Sequence, residues 1–587
     1  MDINTFLINK IGDWQKSTIQ IADGLQFSQY QTLRRIEFYA NSRYLQGQDN
    51  RDARGKMKPF YNISNYRVNI ATRATDIDTK DIQITADSPK FYPLAFIVQK
   101  EVYQWMKEAN FAKTLNEMGF TRAKYGGVLV KKCEREEEEE GEVMELEVVD
   151  WRNVITDPVD PTSVVIEKHY LSAEDLSEKM EIWDHVKESM DMANASTDGK
   201  IEVYEVHGKF PESWSPDGGD EYTFKHQCFY ILSNGNRSID QKILYHYFED
   251  ECPYKYLEWE RVPGRGLGRG VVEDGFEAQM WTNDAIIREK EAMEIGSKAL
   301  FASTDPNIQN NVLSEVENGQ ILKITQGTQI TQINTLTNAL PEFQSLVEKW
   351  NSQYERVSST PGVMVGESQP GNQPYRTTAI INQEANSMFD YRREEMGIFI
   401  TELFNDWVLP YLIKKLNKAH ILRSEFSEEE LKSIDESFAN YVANQEVINT
   451  ILSGKPVYAE DYVGIVNATK TILSKSGGHR FLDIPKNYFK GFEGKVTVNT
   501  TGEQRNKAVI LETLNNLLLT VAKAPQVLQD PKLSMIFAKI LDISGSGISP
   551  ISFGLASNSN DTTAQQVPNM PMQEMQTATP APAVPKA

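Results

Sequence analysis

An interruption near the middle of the chain constrains its fold more than any other feature. Two long helical patterns flank Pro361 to Pro374 (PGVMVGESQPGNQP), a stretch too rich in proline and glycine to continue either. Before it, Phe343, Val347, Trp350, Tyr354 and Val357 step by four and three, a narrow seam suited to packing on another helix. After it, a helix is expected over Thr377–Leu409, ending before Pro410. At ~1.5 Å per residue it would extend about 50 Å, longer than a small domain core requires. Helices in a compact domain are usually joined by ~2–8 residues. The longer link here either projects into a binding site or channel, or is surface slack. Gly362, Gly366 and Gly371 permit backbone shapes closed to other residues, while Pro361, Pro370 and Pro374 stop helix continuation.

The hydrophobic period changes along the rest of the chain. Trp14, Ile21, Leu25, Leu33 and Ile36 recur near helical spacing, so residues 1–50 are expected to be helical. A helix is also expected over Phe91–Ala109. Strands are expected at Gly127–Cys133, Glu142–Val149, Ile201–Phe210, Tyr222–Leu232 and Lys242–Phe248. After the glycine-rich joint Gly264–Gly270, Val272, Phe276, Met280 and Ile287 share one face of a helix. Strand-like segments return over Ala299–Leu336. A smaller helical unit is expected over Ser424–Ile543, with Ser427-x-x-Glu430 and Thr500-x-x-Glu503 as capping-box starts. The tail Ser544–Ala587 is poor in large apolar residues beyond its first third and should be disordered in the isolated chain. The fold class is therefore α+β, mainly helical.

Composition narrows the function. The chain has 587 residues and a formal charge of −22, the reverse of the basic surplus of a protein that grips nucleic acid. Three cysteines without a CxxC pair fit a reducing compartment rather than a disulfide framework. No run approaches the ~18 apolar residues of a membrane span, and residues 1–14 lack the pattern of a secretory signal.

The residues that could carry chemistry are sparse. There is no GxxxxGK[ST] phosphate loop. Gly264, Gly266, Gly268 and Gly270 lack GxGxxG spacing and read as a hinge. There is no HExxH, and the 7 histidines show no pair at metal-ligand spacing. His169, His207 and His246 read as core or surface residues of strands. Asp76, Asp78 and Asp81 lack the glycine and terminal glutamate of a calcium loop. The acidic run Glu134–Glu142 reads as a solvated hairpin tip. No catalytic residue, metal site or cofactor is expected.

The order of several strings resembles the portal proteins of tailed bacteriophages. Tyr61–Ile77 (YNISNYRVNIATRATDI) is similar to that family's early asparagine-containing helix, followed by a strand with Ile82 and Ile84. Val148–Pro158 and Ile166–Met180 resemble its strand, Asp-Pro turn, strand and short helix. Gly268–Met280 (GRGVVEDGFEAQM) looks like the joint opening its first stem helix. Thr360-Pro361-Gly362 with Tyr375–Phe389 resembles its tunnel loop and the start of the long helix after it.

The resemblance implies a portal-like fold with an α/β wing (1–263), a first stem helix (264–299), a small β-containing clip (300–340) and a second stem helix (341–358). A tunnel loop (359–376), a long wing helix (377–423), a helical crown (424–543) and the tail (544–587) would follow. The stem helices would pack through Val272, Phe276, Met280, Ile287, Phe343, Val347, Trp350 and Tyr354. The tunnel loop would present Pro361, Gly362, Val363, Met364, Val365, Gly366, Glu367, Pro370 and Gly371 to DNA. The implied assembly is a homo-oligomeric ring, a dodecamer, at one capsid vertex of the virion, built in the host cytoplasm. Its implied partners are the major capsid protein, the terminase large subunit, tail adaptor proteins and double-stranded DNA passing with weak non-specific contact. No membrane is implied. The rival expectations are another phage neck or adaptor ring, and a metal-dependent hydrolase using Asp157/Asp160 or Glu428/Glu429.

Overall fold

Residues 2–45, 50–51, 55–86, 92–137, 141–232, 242–296, 300–304, 326–327, 330–333, 340–358, 375–416, 421–422, 428–453, 456, 458–475, 482–483, 489 and 494–498 are described by the structure, a computed structural model. Helix α1 (Ile3–Trp14) opens on Asp2, whose carboxylate accepts the Thr5 N–H at 3.0 Å and so satisfies one of the free donors of the first turn. The helical reading of residues 1–50 is corrected here. Strands β1 (Ile19–Ala22) and β2 (Leu25–Phe27) form an antiparallel hairpin that takes up Ile21 and Leu25. Asp23-Gly24 turns the chain, with Gly24 at φ +74, where only a glycine sits without strain. Helicity resumes in α2 (Gln29–Ala40) and α3 (Ser64–Ala74).

Strand β3 (Ile82–Ala86) leads to α4 (Tyr92–Glu108) and α5 (Phe111–Tyr125). The β-rich part then follows as β4 (Gly127–Glu137), β5 (Gly141–Val148), β6 (Val154–Thr156), β7 (Val164–Ser172), the short helices α6 (Ala173–Ser177) and α7 (Val186–Ala195), β8 (Lys200–Pro211), β9 (Phe224–Leu232), β10 (Ile243–Glu249) and β11 (Tyr254–Glu258). One sheet has the order β10-β9-β8-β7-β6 and a second β11-β4-β5, both antiparallel. Asp78 and Asp81 form a capping box on a single 3-10 turn, so their carboxylates serve the backbone.

Helix α8 (Val271–Asp274) is separated by Gly275 from α9 (Phe276–Gly296). Strands β12 (Leu300–Ser303) and β13 (Ile330–Ile333) pair antiparallel between α9 and α10 (Leu340–Val357). Helix α11 (Tyr375–Leu403) does not stop before Pro410. It passes through a π-helical turn, Phe404–Val408, into α12 (Leu409–Leu416). The Leu409 N–H bonds Phe404 O, five residues back. That wider turn, with Pro410 in the first turn of α12, lets the helix absorb a residue that cannot donate its own N–H.

Strand β14 (Ile421–Leu422), α13 (Glu428–Leu452), α14 (Ala459–Lys475), β15 (Leu482–Asp483) and β16 (Gly494–Val498) complete the described elements. The chain divides into two compact units, residues 1–424 with 481–505, and 425–480 with 506–587. The helical unit expected over 424–543 is therefore interrupted. Strand β16 belongs to the first unit, where it pairs with β3 from Gly494↔Ala86 to Val498↔Ile82. In the second unit α13 and α14 pack through Ala439, Ala443 and Val466. The tail expected to be disordered lies outside the described residues, as does Thr500-x-x-Glu503.

The main core of the first unit joins α2, α3, α5, β4, β11, α8, α10 and α11 around Trp151, Trp259, Tyr354, Leu129, Val272 and Phe389. Each such side chain contributes about 1.5–3 kcal/mol by burial. This core holds the ends of the helix pair described next.

Candidate functional site

Helices α9 and α10 run antiparallel. Gln344 bonds Glu289 at 3.3 Å, Trp281 stacks on Trp350 (6.2 Å between centroids, 12° between planes), and the Tyr354 hydroxyl donates to Val271 O at 2.9 Å. A side chain on Gly275 would overlap the Tyr354 ring, so the break between α8 and α9 is the notch that seats that tyrosine. The seam read from sequence faces inward on α10 as far as Tyr354, while Val357, its last member, is exposed. Phe343, Val347 and Trp350 are half-buried and Tyr354 is fully buried. On the other side Val272 is fully buried in α8, while Phe276 packs edge-on against Tyr39 at 5.3 Å under the Arg35 guanidinium. Ile287 is half-buried, and Met280 is exposed.

The buried face of α9 is instead polar, and the apolar pattern did not reveal it. Gln279 is fully buried. Its Oε1 accepts from the N–H groups of Ile63 and Ser64 at 3.0 and 3.2 Å and from the Ser64 hydroxyl at 3.0 Å, while Nε2 donates to Tyr61 O at 2.6 Å. Ile63 at the N-cap of α3 offers no side-chain acceptor, so Gln279 caps the helix from α9, beside Asn62, whose Oδ1 accepts the Asn65 N–H at 2.9 Å. Asn283 Oδ1 accepts the Tyr61 N–H at 2.9 Å, and Arg67 of α3 pairs with Glu355 of α10 at 2.8 Å. The string Tyr61-Asn62-Ile63-Ser64 thus anchors α9, and Arg67, three residues further on, ties α3 to α10.

The glycine joint is closely packed. Side chains on Gly268 or Gly270 would run into the backbone of Gly126, and one on Gly266 into Pro161 and Val159 O. Gly264 has φ +87. Beside them Arg265 forms a two-pronged pair with Glu273, both contacts 2.8 Å. Asp274 meets Arg269 at 2.9 Å, and burial pushes its carboxyl up to about 7 against the pull of that arginine.

Around the helix pair, Met280, Trp281 and Met293 of α9 and Leu346 and Val357 of α10 are exposed. Residues Pro361–Gly371, expected from the resemblance to form a tunnel loop, lie outside the described residues.

A second polar cluster lies where the two sheets meet. Lys131 of β4 reaches Glu205 Oε2 of β8 at 2.5 Å and Glu167 Oε2 of β7 at 3.2 Å. Glu205 also meets His169 Nε2 at 2.7 Å, His207 Nε2 at 2.9 Å and the Tyr230 hydroxyl at 2.6 Å. The other nitrogen of His207, Nδ1, faces Glu249 Oε1 of β10 at 2.9 Å, and Cys228 Sγ of β9 stands 3.6 Å from Nε2. Burial would push the Glu205 carboxyl up, but Lys131 and then the two histidines hold it well below the usual carboxylate range. Burial also opposes a charged His207, yet Cys228, Glu205 and Glu249 hold its pKa well above the ordinary value. Sequence spacing missed this constellation because its members come from five strands.

Asp157 and Asp160, raised for a hydrolase, serve a turn. Asp157 Oδ1 accepts the Val159 N–H at 2.9 Å, and Asp160 Oδ1 accepts from Thr162 N and Oγ1 at 3.0 and 2.8 Å. The side chains of Glu428 and Glu429 lie outside the described residues. No helix among the described residues is long and apolar enough to cross a membrane. No known family model matches the chain, and no curated protein matches it either.

Proposed function

We propose that the chain is the portal subunit of a tailed bacteriophage, a ring-forming protein at one capsid vertex through which DNA is packaged and ejected. The observation that carries this reading is the α9–α10 pair. Two antiparallel helices with a β12/β13 ladder between them are fastened at one end into an α+β body and leave Met280, Trp281, Met293, Leu346 and Val357 exposed. A stem–clip–stem reading accounts for this helix–ladder–helix order, and the apolar surface is what copies of the chain would cover in a closed ring. The excess of acidic over basic residues suits a channel past which DNA slides, since neutralising phosphates would produce tight, salt-dependent binding.

In this reading Pro361–Gly371 is the tunnel loop, the glycine joint opens the stem, and terminase, capsid and tail adaptor proteins dock on the ring. Native mass measurement and negative-stain imaging test it. Closed rings, dodecameric in the virion, are expected, and Trp281→Asp with Leu346→Asp should yield folded single chains. A strictly monomeric sample recovered from virions would overturn the reading. Shortening 361–374 should leave rings intact and impair packaging or retention of DNA, and normal packaging would remove the loop assignment.

A further inference from the structure

We infer that Glu205, His207 and Cys228 form a closed site for a divalent, borderline-soft metal ion of the zinc class. Glu205 and His207 are two apart on β8 and so share one face of the strand, and Cys228 is the residue directly opposite His207 in the β8–β9 ladder. Their donor atoms all lie within 4.8 Å of one another, and all three side chains are buried. Tetrahedral zinc with Zn–N near 2.0 Å and Zn–S near 2.3 Å places nitrogen and sulfur roughly 3.5 Å apart. The His207–Cys228 separation is 3.6 Å. The Glu205 Oε1 contact, at 2.9 Å from Nε2, need open by only a few tenths of an ångström to admit the ion.

The surroundings complete the case. A metal-bound histidine usually gives its other ring N–H to a carboxylate, and Glu249 Oε1 holds His207 Nδ1 at 2.9 Å. Glu249 Oε2 is buried without a hydrogen-bond partner among the described residues, which leaves the imidazole as this carboxylate's identified contact. Lys131 and His169 hold Glu205 by Oε2, turning Oε1 towards the imidazole. The Tyr230 hydroxyl on Glu205 and the Tyr247 hydroxyl on Cys228 offer oxygen for a fourth position. Binding would exchange two protons, the second ring proton of His207 and the thiol proton of Cys228, for one dication. The charge of the cluster is then unchanged, so Lys131 keeps its place beside Glu205. With all three ligands buried away from solvent the ion would be structural, pinning β8 to β9.

The inference does not depend on the ring reading. The full chain is produced with zinc, or with cobalt as a coloured substitute, and purified without chelator. About one ion per chain is expected, released to an indicator dye when the chain is unfolded in denaturant, together with a thiolate-to-cobalt absorption band. Cys228→Ser should abolish the band, Cys133→Ser and Cys252→Ser should keep it, and Glu249→Gln should weaken affinity about 10–100-fold. Background metal in the unaltered chain, which needs no variant to fold, would overturn the proposal in favour of an imidazolium bridging Glu205 and Glu249. So would a thiolate band that survives Cys228→Ser.

Discussion

The two buried polar clusters of the first unit fasten their elements by opposite means. At the base of α9, neutral amides of Gln279 and Asn283 hold the backbone of Tyr61, Ile63 and Ser64. Between the sheets, full charges on Lys131, Glu205, Glu167 and His207 hold one another. An amide that caps backbone fixes position and loses only its own bonds when removed. A charge removed from a buried set leaves its partners ionised without compensation, which costs far more than the intact set contributes. The sheet cluster is therefore the more brittle of the two, although the amides of Gln279 and Asn283 are the more deeply hidden from water.

The sharpest way to break this comparison is Lys131→Met, which keeps the stem of the side chain and removes the charge. Glu205 then loses its nearest cation, and a loss of about 3–5 kcal/mol in denaturant stability is expected. A loss under 1 kcal/mol would show that His207 and His169 alone balance the carboxylate.

Asp274 beside the glycine joint tests the same principle through pH. Its carboxyl is raised from 3.8 to about 7, so the folded state holds this proton after the unfolded state has released it. The group thus costs nothing below the unfolded pKa, and its cost grows from there until pH reaches about 7, where it levels off at about 4 kcal/mol. Asp274→Asn should gain stability relative to the unaltered chain between pH 4 and pH 7 and hold that gain above, with Arg269 still paired to Glu260 at 2.7 Å. A difference between the two proteins that does not change with pH would refute this.

Gln279→Met is the amide counterpart. It preserves volume while removing the cap of α3, and about 1–3 kcal/mol should be lost, with the largest rise in hydrogen exchange at Ile63 and Ser64. If Gln279→Met costs as much as Lys131→Met, the distinction between the two clusters fails.

How far the sequence reveals these regions follows from their chemistry. The α10 seam is legible because Phe343, Val347, Trp350 and Tyr354 repeat at helical spacing and do face inward. The β8, β9 and β10 strands are legible because turns bracket runs of β-branched and aromatic residues. Residues 19–27 misled because Ile21 and Leu25 fit a helical period by coincidence, and the Asp23-Gly24 turn outweighs that period. Pro410 misled because a π-helical turn can absorb a proline that an ordinary helix interior cannot. Gln279 gave no signal, since a buried glutamine is indistinguishable from an exposed one until its backbone partner, more than two hundred residues away, is known. The sheet cluster was hidden for the same reason. Alternation on β8 puts Glu205 and His207 on one face, but only strand order brings Cys228 and Glu249 to them, and Lys131 arrives from the other sheet.

The smallest effect on folding is expected where the effect on assembly is greatest. Met293 is exposed near the far end of α9, beyond the polar anchor at Gln279 and Asn283. An exposed side chain that touches neither core nor cap contributes little to the fold, so Met293→Ser should change single-chain stability by no more than about 0.5 kcal/mol. In a closed ring the same methionine, 48% exposed in the single chain, would be covered by a neighbouring copy, and burying that remaining half would stabilise each contact by about 1 kcal/mol. Because every subunit of a ring carries the change, the loss is repeated at every contact. Met293→Ser chains should then unfold at the same denaturant midpoint as the unaltered protein, yet need a higher chain concentration to form rings in native mass measurements. Unchanged ring formation would mean that this stretch of α9 faces solvent in the assembly, and the subunit contact would have to be sought on Met280 and Trp281. A fall in single-chain stability above 1 kcal/mol would mean that Met293 packs within its own chain, and its exposure would no longer count in favour of a ring.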